Sequence, residues 1–94
     1  MKLIRLCKSA DSSAVRDCPT MYLGEDPTVM VSQGKLLDAE TAGQMQYVAH
    51  DETGVAIPTE TVLRAAGLFL AAQGRPSVAA VVEAFLATWD GGRQ

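Results

Sequence analysis

The sequence predicts an α+β domain, a small and mostly antiparallel sheet followed by a helical hairpin. Short runs of β-type residues, broken by turn residues, fill the first two thirds of the chain. The last third holds two stretches with apolar residues at the helical period. Between strand runs within about 20–33 stands Gly24-Glu25-Asp26-Pro27, four residues with a Gly, which suits a hairpin. A chain ordered strand, hairpin, strand and helix pair builds a sheet with helices over one face. The 94 residues make a single domain, mainly β over 1–58 and helical over 59–89, with a frayed tail at 90–94.

The first expected strand runs from Lys2 to Cys7. Leu3, Ile4 and Leu6 supply its apolar surface, and Lys2 and Arg5 reach water. Serines and acids from Ser9 to Asp17 mark a polar loop. Thr20–Leu23 opens the hairpin and Thr28–Gln33 closes it, with Val29 and Val31 on one side and Thr28, Met30 and Ser32 on the other. Pro27 precedes the return strand, where no ladder donor is needed. Gly34 ends that strand or marks a bulge.

Leu36 and Leu37 extend another short strand segment. Asp38 is placed to cap a short helix over Ala39–Met45, with Glu40 in its first turn. Gly43 opposes that helix and leaves an extended path open for Gln44–Ala49. His50–Gly54 is a polar turn, and Val55–Ile57 is a brief strand stopped by Pro58.

The helical hairpin is predicted at about 59–73 and 77–88. In the first helix Val62, Leu63, Ala66, Phe69 and Leu70 form an apolar stripe at i, i+1, i+4, i+7 and i+8. Thr59 is the expected cap, Glu60 favours the positive end, and Gly74 ends the helix in the left-handed conformation. Either Ser77 caps the second helix or Pro76 begins it. Val78, Val81, Val82, Phe85, Leu86 and Trp89 supply its stripe.

Composition restricts function. The chain is 48% hydrophobic and 20% charged, which excludes a disordered chain for most of its length. With five aromatic residues, the core must be built mainly from Val, Leu, Ile, Met and Ala. The net charge of −3 is unevenly placed. Residues 1–16 carry four bases against one acid, whereas 17–60 carry eight acids against Lys35. An acidic middle repels phosphate backbones, so direct nucleic-acid binding by the whole domain is disfavoured and a basic protein partner suits it better. The plainer account is that these charges are solvated loop residues. MKLIRLCKSA lacks the apolar core of a signal peptide, and no apolar run approaches the ~20 residues of a membrane span. The expected location is therefore the cytoplasm.

Chemistry finds little footing. Cys7 and Cys18 are the two cysteines, kept as thiols in a reducing compartment, and their spacing is no zinc signature. Cys18-Pro19-Thr20 is the most suggestive string for a nucleophile. Arg16 is near in sequence and His50 is a candidate base, but Asp17 adjoins the thiol and would raise its pKa. A small apolar residue at a strand entry is the simpler role. His50-Asp51-Glu52 lacks the second histidine that metal binding wants. No G-x-S-x-G elbow and no phosphate loop occurs. No catalytic residue, cofactor or metal is expected. The alternatives carried forward are a redox or hydrolytic enzyme using Cys18 and a weak DNA binder using the basic N-terminal segment.

Several strings resemble a known family. Lys8-Ser9, then Ser12 and Cys18, resembles the opening of BldB-like proteins of actinobacteria. Cys18-Pro19-Thr20-Met21-Tyr22, Val29-x-Val31-x-Gln33-Gly34 and Val55-x-Ile57-Pro58 are similar to related small actinobacterial proteins commonly encoded beside helix-turn-helix regulators. The likeness spans about residues 6–66. Leu6 stands where a Trp is usual, Pro19-Thr20 replaces a Val-Glu pair, and the two C-terminal helices lie outside it. The resemblance implies a β-rich, non-enzymatic accessory of a transcription regulator, acting by protein contact in development or in a toxin–antitoxin-like pair. Read together, the residues point to a small interaction protein, alone or as a homodimer. Its candidate partner contacts are Glu25, Asp26, Asp51, Glu52 and Trp89, with core packing the simpler role for Trp89.

Overall fold

The computed structural model describes residues 1–9 and 19–90. In chain order the elements are β1 (Leu3–Lys8), β2 (Thr20–Gly24), β3 (Met30–Gln33), β4 (Lys35–Leu36), α1 (Ala39–Ala42), β5 (Val55–Ala56), α2 (Thr59–Ala72) and α3 (Pro76–Thr88). The α+β class is as predicted. Of the loop expected from Ser9 to Asp17 only Ser9 is described, and it is buried, its N–H donating to the Pro19 carbonyl at 2.8 Å; the tail beyond Asp90 lies outside the described residues.

β1, β2 and β3 form an antiparallel sheet in that order. Leu3 stands opposite Gly24 and Lys8 opposite Thr20, with a bulge between Arg5 and Cys7. Thr20 pairs with Gln33 and Leu23 with Met30. β2 is the central strand, and Thr20, Met21 and Gly24 on it are buried. β1 is an edge strand carrying Lys2 just before it and Arg5 and Lys8 within it, the charges that commonly guard an open edge.

The return strand begins two residues later than predicted because Thr28 is used in the turn. The Val29 N–H donates to the Asp26 carbonyl at 3.1 Å. The Asp26 carboxylate accepts from the Thr28 N–H at 3.0 Å and the Thr28 hydroxyl at 2.8 Å. Asp at the first position of a turn and Pro at the second is a favoured pairing, because Pro presets φ and the carboxylate bonds two residues on. The backbone bond first, then the hydroxyl, hold the Asp26 carboxyl below its ordinary pKa. A lowered folded-state pKa contributes stability above the ordinary carboxylate range and loses it as pH falls through the folded value. The Thr28 amide resonance should therefore shift as Asp26 protonates, with its midpoint below that of a free aspartate. A midpoint at the free value would remove the turn bond.

The strand predicted at 55–57 does not join the main sheet. β5 pairs antiparallel with β4 as a separate two-stranded ladder, Lys35 opposite Ala56 and Leu36 opposite Val55. Gly34 makes the break, since the backbone there is pressed against β5. A Cβ at residue 34 would lie 2.6 Å from the Ala56 carbonyl oxygen.

Asp38 caps α1 as predicted, its carboxylate accepting from the Thr41 N–H at 2.7 Å. The helix stops at Ala42 and not Met45, with Gly43 as its C-cap. Thr59 is not the cap of α2 but its first residue; Pro58 occupies the cap position and no side chain bonds there. The C-terminal end is as expected. Gly74 has φ +78°, Gly74 N–H donates to the Ala71 carbonyl at 3.1 Å, and Arg75 N–H donates to that of Leu70 at 2.9 Å. Those two bonds make a Schellman cap. Pro76, not Ser77, sets the start of α3, at its first position.

α2 packs on β1 and β2, and α3 packs on α2. The helices are therefore stacked outward from the sheet and do not both cover it, as the sequence had predicted. The apolar stripe of α2 is also turned. Thr61, Ala65 and Gly67 are its buried residues, while Val62 is 41% exposed. At about 100° per residue, Thr61 and Ala65 define the face toward the sheet and Gly67 the face toward α3, where Val82 lies against it. The predicted stripe points partly at α3 and partly at solvent. Small residues let the helix approach both neighbours closely. Among the described residues the buried apolar side chains are Met21, Ala65 and Ala79.

Candidate functional site

The polar loop between α1 and β5 carries the richest surface. The Ala49 and Glu52 backbones close a turn: Glu52 N–H donates to the Ala49 carbonyl at 3.0 Å, and the Glu52 carboxylate accepts from the Ala49 N–H at 2.9 Å. His50 and Asp51 sit at its exposed tip. This fixes Asp51 and Glu52 beside an open cavity of about 480 Å³, whose wall includes Met45, Tyr47 and Val48. Met45, Tyr47 and Val48 line it together with the polar Gln46 and Thr53 and the acidic Asp51 and Glu52, a mixture that suits the alkyl stem and cationic head of a lysine or arginine.

Tyr47 is the residue that sequence reasoning missed. It is 97% exposed and has φ +59°. A bulky residue rarely adopts that conformation, which costs roughly 1–2 kcal/mol against the right-handed form. No glycine or asparagine at 47 announced a left-handed turn, so the pattern gave no signal. Tyr47 lines the same cavity as Asp51 and Glu52, and an exposed aromatic ring is suited to a cation. Tyr47→Asn should keep or raise the melting temperature, because Asn tolerates the left-handed region and no burial is lost, while removing the aromatic ring. A clear fall in melting temperature would show that Tyr47 supports the loop instead.

The other expected contacts are dispersed. Glu25 and Asp26 lie exposed in the β2–β3 turn, on a different element from Asp51 and Glu52. No group of three or more His, Cys, Asp or Glu among the described residues is arranged to hold a metal ion. Trp89 is the C-cap of α3, half-buried, with its ring stacked on Phe85 at 5.7 Å between centroids. Phe85 itself is 49% exposed.

Cys18 lies outside the described residues, and with it the pairing of Cys18 with His50 or with Cys7. The Cys7 thiol donates to the Thr61 carbonyl at 3.5 Å. Burial raises its pKa, partly opposed by the positive charge of Arg64 and reinforced by Glu60. A thiol of this kind is a poor nucleophile at neutral pH. Peptide-resolved alkylation should find Cys7 slower than a free thiol at pH 7, gaining rate only in alkaline solution. Faster labelling than a free thiol would overturn that assignment.

No helix among the described residues is long and apolar enough to cross a membrane. Comparison with family models, curated proteins and solved structures finds no match to this chain.

Proposed function

We propose that this chain is a non-enzymatic cytoplasmic interaction protein, an accessory of a helix-turn-helix transcription regulator, and that its acidic loop takes a basic side chain of that partner. The observation that carries this reading is the Asp51–Glu52 cavity with Tyr47 at its wall. The surplus of acids over residues 17–60 supports the same sign of partner, since it draws a basic surface and repels nucleic acid. The resemblance to BldB-like proteins supplies the class of partner. Its quoted strings include the buried strand β2, so part of the likeness concerns shape and not a binding motif.

Hydrogen exchange of the chain alone and mixed with a helix-turn-helix regulator encoded beside it tests the proposal. Protection is expected over residues 45–53. No protection anywhere on the chain would sink it. The double variant Asp51→Lys, Glu52→Lys should slow association by at least about tenfold at low salt, with a smaller difference at high salt. Glu25→Lys with Asp26→Lys lies on a separate element and should slow it less. Unchanged association by both pairs would remove the electrostatic part.

A further inference from the structure

The helical hairpin presents a second, uncharged surface that the acidic loop does not use. α3 carries one charge between Pro76 and Thr88, Glu83. Ala79 is buried against α2, with Val82 and Leu86 half-buried beside it. Val78, Val81 and Phe85 are 46%, 69% and 49% exposed. With Trp89 they recur at spacings of three, four and four along one flank, while Glu83 projects to the other side of the helix. On α2, Val62 and Phe69 share a flank, and Glu60 and Arg64 occupy the opposite one, joined there as an ion pair. The connection between the helices is three residues, Gln73 to Arg75, and they pack together as a hairpin. In such an antiparallel pair of right-handed helices, the Val62–Phe69 flank and the Val78–Trp89 flank fall on the same side. The result, among the described residues, is an apolar face to which α2 and α3 themselves contribute no charged side chain.

We propose that two copies of this chain pair through that face, helix hairpin against helix hairpin, as a four-helix bundle. Charge selects the occupant. The chain carries a net −3, and its expected contact acids stand on the β2–β3 turn and the α1–β5 loop, away from this face. A two-fold contact sets each patch against its own copy, so any charge on it would meet its like. α2 and α3 put none on this face, and it offers nothing to the basic partner that the acidic loop suits. A helix that is apolar on nearly every side belongs inside a structure, and the described residues of one chain cover only one side of α3. The spacing of Val78, Val81, Phe85 and Trp89 is that of side chains that interlock with facing helices.

Area sets the strength. Two adjacent helices of 14 and 13 residues are each ~20 Å long and ~10 Å wide, a face of roughly 400 Å² in plan per copy. The two copies together bring roughly 800 Å², the size of a weak, transient contact, so the dimer should form only at high protein concentration. Sedimentation velocity of the full chain, without any partner, over a series from micromolar to millimolar should show a reversible monomer–dimer equilibrium. Emission of Trp89, the one tryptophan, should shift to the blue over the same range. Val81→Glu replaces the most exposed of these α3 residues, so the fold should survive by circular dichroism while the dimer weakens by more than about tenfold. Asp51→Lys with Glu52→Lys should leave the dimer intact, which separates this surface from the acidic loop. A wild-type chain monomeric throughout, or a dimer indifferent to Val81→Glu, overturns the proposal. Protection of α3 only by a mixed-in regulator assigns the face to that protein and overturns it equally.

Discussion

Gly34→Ala should lower the free energy of unfolding by ~2–3 kcal/mol, read from far-ultraviolet denaturant titrations. The added methyl would stand 2.6 Å from the Ala56 carbonyl oxygen, 3.0 Å from Ile57 Cγ1 and 3.2 Å from Val55 Cγ2. The nearest of these is backbone, and it belongs to the strand that pairs with β4. Relief therefore means separating β4 from β5, not rotating a side chain. Gly34 has no positive φ, so the effect is one of space and not of backbone conformation. Gly74→Ala is the contrasting case. Nothing lies within 4 Å of a Cβ there, but φ is +78°, and the expected loss is the roughly 1–2 kcal/mol of a left-handed alanine. Gly54→Ala meets the side-chain ends of Met45, at 2.7 Å, and Leu37, at 3.0 Å, which can move aside. Gly34 should rank first of the three. A domain of this length has a total stability of about 5–14 kcal/mol, so the Gly34 variant gives up a large share of it. If Gly34→Ala unfolds like the native chain, the close approach of β5 to residue 34 is not present.

The legible part of the fold was the part fixed by local chemistry. The Asp26-Pro27 turn, the Asp38 cap and the Gly74 stop each depend on one or two residues whose preferences are strong. What could not be read is which neighbour each apolar face meets. The helical period of α2 was visible, but a periodic stripe does not say whether sheet, second helix or solvent lies opposite. The contact with the sheet goes through Thr61 and Ala65, residues too small and too mixed in polarity to stand out as a core. Strand pairing had the same limit. Val55–Ile57 reads as β-type, but its partner is set by the approach at Gly34, a non-local contact.

The candidate site divides along the same line. Asp51 and Glu52 were legible as acids in a turn, and the cavity beside them comes from Met45, Tyr47 and Val48, which no charge pattern marks. Trp89 was legible as an aromatic at a helix end. That its neighbours Val81 and Phe85 are exposed follows only from α3 lying on α2 and not on the sheet.

Ala65→Leu tests the buried side of α2. Ala65 and Thr61 are both fully buried. Two bonds tie α2 to β1: the Cys7 thiol to the Thr61 carbonyl, and, from the neighbouring flank, Arg64 Nη1 to the Lys8 carbonyl at 3.2 Å. Leucine brings three more carbons into a contact closed on both sides. Either its side chain leaves its preferred rotamers or the helix lifts from the strand, and overpacking of this kind costs about 1–3 kcal/mol. Ala65→Gly leaves the spacing free, and its cost is mainly the ~1 kcal/mol of helix propensity. The two variants also differ in a readout other than stability. Lifting α2 exposes Cys7 and removes the burial that raises its pKa, so Ala65→Leu should speed alkylation of Cys7 at neutral pH and Ala65→Gly should not. Stability loss with unchanged Cys7 labelling would place the strain inside α2. Native stability with unchanged labelling would mean that α2 stands off the sheet, and the closeness assigned here to Thr61 and Ala65 would be wrong.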